Sequence, residues 1–127
     1  MKKELLENEI EEIKNNEYIV FSTASSNIPH SIVVMPSRIE KNRIILSNIQ
    51  MNKTIDNIKV NPNGFINVYI KKNNDKQYKI NCVCEVFKNG ELFEEIKNYE
   101  ETYNLPEELE VKEIIIANIQ NIEISEG

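Results

Sequence analysis

Residues 22–62 read STASSNIPHSIVVMPSRIEKNRIILSNIQMNKTIDNIKVNP. This third of the chain predicts the end of one strand, a proline-containing turn, two further strands and a short helix. Ser25 to Pro29 is a cluster of turn formers, and residues 30–40 and 43–48 are β-branched runs joined at Lys41-Asn42, the spacing of a hairpin. Residues 52–60 place Ile55 and Ile58 on one side of a helix. That helix ends before Asn61-Pro62, because the residue preceding a proline avoids the α region. With Asn52 as N-cap, the helix start gathers Asn52, Lys53 and Thr54, polar donors and one cation beside unpaired backbone N–H groups. Such a start attracts a phosphate; the same residues also suit an exposed helix end with no ligand.

Working outward, Leu6, Ile10 and Ile13 share one face of a helix over residues 3–15, and Tyr18 to Ala24 reads as a strand. Downstream, Phe65 to Ile70 is a strand, Asn73-Asn74-Asp75 a turn, and Gln77 to Phe87 a long strand that stops at Asn89-Gly90. Glu91 to Tyr103 is an amphipathic helix with Leu92, Phe93, Ile96 and Tyr99 inward, and Glu110 to Ile124 contains the last strand. Strands joined by short turns pair antiparallel, so the expected fold is mainly β: a small antiparallel barrel with peripheral helices. A doubly wound α/β fold is excluded, since strand–helix alternation and a glycine-rich phosphate loop are both missing.

The length of 127 residues suits a single domain spanning 1–127, able to bury a core without staples. Acids outnumber bases 21 to 15, which argues against nucleic acid as a partner. No apolar run is long enough for a membrane span, and MKKELLENEIEEIKNN carries acids among its leucines and isoleucines, unlike a secretory signal. The expectation is a cytoplasmic protein. Cys82 and Cys84 sit two apart on a strand, on one face, in neither a CxxC nor a zinc pattern, and are expected to be buried reduced thiols. No metal site is expected. His30, the lone histidine, most simply serves structure; Arg38 and Arg43 read as hairpin charges, and Glu94, Glu95, Glu100 and Glu101 as a solvated helix face.

Three segments, STASSNIPHSIVV, RIILSNIQMNKTIDNIKVNP and QYKINCVCEVFKNGELFEEI, resemble in this order the pyridoxamine 5′-phosphate oxidase-like, FMN-binding split-barrel family. The resemblance implies a six-stranded split barrel and a homodimer with FMN at the subunit interface. It places Ile32, Val33 and Val34 along the flavin ring, Ser47 and Asn48 beside the ribityl chain and ring edge, and Asn52, Lys53 and Thr54 at the flavin phosphate. Gln77 matches a glutamine that, in the oxidase, reaches the flavin from the partner subunit.

The chain also departs from the family. Ile32 and Ser37 stand where the oxidase has phosphate-binding cations, Lys53-Thr54 stands for an Arg-Lys pair, and no Arg or His follows Lys112. True pyridoxamine-phosphate oxidase activity is therefore not expected. The resemblance implies a flavoprotein oxidoreductase that passes electrons from a reduced nicotinamide or similar donor to a small acceptor. A non-catalytic flavin carrier, or a split-barrel dimer holding a deazaflavin, haem or nothing, is the alternative. No catalytic residue is assigned.

Overall fold

A computed structural model describes residues 2–70, 72 and 75–126; Asn73 and Asn74 of the expected turn lie outside the described residues. In chain order the elements are α1 (Glu7–Asn16), β1 (Ile19–Ser25), β2 (Ile28–Val34), β3 (Arg38–Ile39), β4 (Arg43–Asn48), α2 (Asn52–Val60), β5 (Asn63–Ile70), β6 (Lys76–Phe87), α3 (Glu91–Tyr103) and β7 (Glu113–Ser125). The strands form one antiparallel sheet in the order β2-β1-β5-β6-β7-β4-β3.

Seven strands replace the expected six, because residues 30–40 do not form one strand. Pro36 lies in the interruption, and a proline has no N–H to give to a ladder. The consequence is topological. β2 pairs with β1 at one edge of the sheet, while β3 pairs with β4 at the other. Only residues 35–37 join them, so the two edges come within about 14 Å at that link, the reach of so short a segment. The hydrogen-bonded ladder itself stays open there. The β1–β2 hairpin turns through Ser26 and Asn27, both left-handed (φ 51° and 62°), the combination that matches strand twist in a two-residue turn.

Register explains the core. Phe21 faces Ile32 and Ile66 on either side, Ile66 faces Ile80, and Ile80 faces Ile122, giving an apolar row across five strands. Leu5 and Ile13 at the N-terminus and Ile55 and Ile58 of α2 cover this face. Ile45, Ile114 and Ile116 point the other way and pack with Phe93 and Ile96 of α3. Buried on both faces, residues 44–46 of β4 and 114–117 of β7 read as continuous apolar runs, whereas the second half of β7 alternates.

Two inward assignments are corrected. Leu6 is 57% exposed and precedes α1 as its N-cap, while its neighbour Leu5 takes the core position. The Glu9 carboxylate fixes that start by accepting the Leu6 N–H at 2.8 Å. Tyr99 is 54% exposed and lies beside Tyr103, with ring centroids 5.1 Å apart. Phe93 and Ile96 already fill the contact with β7, leaving Tyr99 on the rim. Cys82 and Cys84 are buried free thiols, as expected. Among the described residues, no helix is long and apolar enough to cross a membrane.

Candidate functional site

Helix α2 is held from below by its buried Asn57. The Asn57 amide donates to the Thr23 hydroxyl at 3.1 Å, and its carbonyl accepts from Ser25 Oγ at 2.9 Å. Both partners are on β1, so the helix is pinned across the end of the β1–β2 hairpin. Its start is set separately: the Met51 N–H donates to Asn48 Oδ1 at 2.5 Å. Met51, not Asn52, is therefore the N-cap, and Asn52 is the first helical residue. No side chain caps from the N-cap position, and the first turn carries no acid. The N–H groups of Asn52, Lys53 and Thr54 thus lie at a helix end with partial positive charge and no competing carboxylate in the first turn.

This helix start and β2 face each other across a groove of about 360 Å³, within the range of roughly 300–1,000 Å³ usual for small-molecule sites. His30 and Ile32–Val34 form one wall, and Ile49–Lys53 the other. Along β2 the side chains alternate: Ile32 and Val34 pack against the core, while Val33 is 70% exposed. As the outermost strand, β2 also presents a row of backbone N–H and C=O groups without a strand partner.

The nine residues expected at the site divide accordingly. Ile32, Val33, Val34, Asn52 and Lys53 line the groove. Thr54 lies one residue further into the helix, buried and off the groove lining, and its Oγ1 has no hydrogen-bond partner among the described residues. A buried hydroxyl left unpaired costs about 1–3 kcal/mol, so an anion at the helix start that engaged it would remove a real penalty. Ser47 is buried and its hydroxyl pairs with Ser37 Oγ at 2.6 Å. Asn48 is buried too, its amide committed to Met51 and, at 2.6 Å, to Glu113. Gln77 is outside this groove, opposite Tyr69 on β5 and Ser125 on β7.

Charge around the groove is sparse. Among the described residues Lys53 makes no ion pair, whereas Arg38 binds Glu95 at 2.9 Å and Arg43 binds Glu40 at 2.6 Å. Neither arginine is free for a phosphate, which agrees with their reading as hairpin charges. Glu113 is the participant that sequence reasoning missed. Its link to Asn48 joins positions 65 residues apart, and no local pattern announces it.

No protein-family model and no curated protein matches this chain. Solved structures do. HupZ of Group A Streptococcus superposes with a TM-score of 0.82 at 15% identity, covering 97% of this chain and 96% of its own. A Clostridium acetobutylicum protein related to general stress protein 26, of the pyridoxinephosphate oxidase family, gives 0.72 at 12% identity over 91% and 84%. An FMN-binding protein from Syntrophomonas wolfei gives 0.67 at 20% identity over 93% and 86%. The chain has the fold of the pyridoxamine 5′-phosphate oxidase-like, FMN-binding split-barrel proteins.

Proposed function

We propose that this protein is a cytoplasmic flavoprotein that binds FMN between β2 and the start of α2. The observation that carries the reading is the groove shared by the start of α2 and the edge strand β2, lined by Lys53, which makes no ion pair among the described residues, with the buried, orphaned Thr54 hydroxyl next along the helix. Lys53 and the first-turn N–H groups supply charge and donors for the phosphate, with the Thr54 hydroxyl beside them. Ile32, Val33 and Val34 offer an apolar wall and unpaired backbone groups for the ring. When bound, FMN supplies hydride and single-electron chemistry, and the protein sets its position and surroundings. The activity proposed is electron transfer from a reduced nicotinamide or similar donor to a small acceptor.

The proposal includes a homodimer. Ile28, Val33 and Met35 of the β2 region are 65%, 70% and 50% exposed, and Val20, opposite Val33 on β1, is 37% exposed. Next to Val20 on β5 lies Asn67, whose Oδ1 is buried without a donor among the described residues. An apolar surface around an unsatisfied acceptor suits a second copy of the chain, which would bring its own Gln77 toward the flavin. The test is a titration of FMN followed by flavin fluorescence, with sedimentation on the same sample. Saturation at one flavin per chain in a dimer supports the reading; absence of binding, or a monomer at micromolar concentration, overturns the corresponding half.

A further inference from the structure

We infer that Glu113 is a positioning residue for the phosphate end of the flavin site, acting through Asn48 on the start of α2; this rests on the proposed FMN site. Glu113 opens β7 and pairs in register with Asn48, the last residue of β4. Both are buried, and the Asn48 amide donates to the Glu113 carboxylate at 2.6 Å. The opposite atom of the same amide, Oδ1, accepts the Met51 N–H at 2.5 Å.

The chemistry of the two neighbours leaves this amide one orientation. An ionised carboxylate only accepts and a backbone N–H only donates. Flipping Asn48 would set oxygen against oxygen at Glu113 and N–H against N–H at Met51. Glu113 therefore selects the rotamer in which Asn48 caps Met51, and the capped Met51 in turn directs the N–H groups of Asn52, Lys53 and Thr54. The carboxylate does not touch the groove, which it does not line. Its other oxygen faces the Lys88 ammonium at 3.9 Å, so the link from Glu113 to the helix start runs through Asn48 and Met51, while the groove wall formed by β2 is independent of it.

That division supplies a specific test. FMN carries the phosphate and riboflavin does not, so the ratio of their affinities reports the helix start alone. Glu113→Leu should lower FMN affinity roughly five-fold, the loss of one helix cap, with riboflavin affinity unchanged. Glu113→Gln, which keeps an acceptor for Asn48, should retain the FMN preference. In the ligand-free protein, amide hydrogen exchange at Met51 should quicken in Glu113→Leu and not in Glu113→Gln. Should Glu113→Leu fail to fold, the swap Asn48→Asp with Glu113→Gln serves instead. Asn48→Asp alone opposes two carboxylates and should lose the preference, and adding Glu113→Gln should restore it.

Equal loss for FMN and riboflavin, an unchanged ratio in Glu113→Leu, or no rescue by the swap would overturn the inference. A wild-type protein that binds both flavins alike would instead remove the phosphate site on which the inference rests.

Discussion

Asn57 of α2 donates its side-chain amide to the hydroxyl of Thr23 on β1 at 3.1 Å, with both residues buried. The same amide carbonyl accepts from Ser25, so one side chain joins helix to hairpin twice. Replacing Asn57 by alanine removes both links and opens a void, and should destabilise the protein by about 1–3 kcal/mol. A lowered urea midpoint with an unchanged slope is the expected result.

Gly64 on β5 faces the two cysteines of β6. A Cβ there would lie 3.0 Å from Cys84 Sγ and from Phe21 Cε1, and 3.2 Å from Cys82 Sγ. All three neighbours are buried, so none can swing into solvent. Gly64→Ala should cost about 1–3 kcal/mol through overpacking. Adding Cys84→Ala should recover part of the loss, read from the urea midpoints of the single and double variants.

The Cys82 thiol is pushed up by the contact with Cys84, whose Sγ is 3.9 Å away, and by burial. It therefore stays protonated at neutral pH, and the thiol form is the poor nucleophile. An aromatic disulfide reagent should react slowly with the native protein at pH 8, and should titrate both cysteines promptly in denaturant.

Burial works to raise the Glu9 carboxyl, but the Leu6 N–H and the Lys2 ammonium, 2.6 Å away, outweigh it and hold the group below its ordinary value. A carboxylate depressed on folding adds stability above its unfolded pKa, near 4.3, and loses it as pH falls through the lower folded value. The urea midpoint should therefore drop as pH is lowered below about 4.3. In Glu9→Gln that contribution is missing at neutral pH, and the acid fall should be shallower.

The strands were legible where the pattern was local. Turn residues bound β1 and β2, Asn89-Gly90 ends β6, and the β-branched run of β4 stands out without help. The bounds of α2, residues 52–60, are legible, but its cap is not: Asn52 is a good cap by type, whereas Met51 is the N-cap and its N–H is held by Asn48, three residues before it. Leu6 fitted the helical period yet lies outside the helix. Pro36 was visible, but its consequence, one expected strand split between opposite sheet edges, depends on the whole topology. Within the site, Lys53 and the β2 residues could be picked out from sequence. The burial of Thr54 and the Glu113–Asn48 link could not, since both arise from packing between distant segments.

The most direct test of the central claim is the visible spectrum of the protein after loading with FMN and removal of the excess, for wild type and for Lys53→Ala/Thr54→Ala. The wild type should retain about one flavin per chain, and the double variant should lose most of it while keeping its fold. A colourless wild-type protein, or a double variant that retains FMN equally well, would contradict the claim.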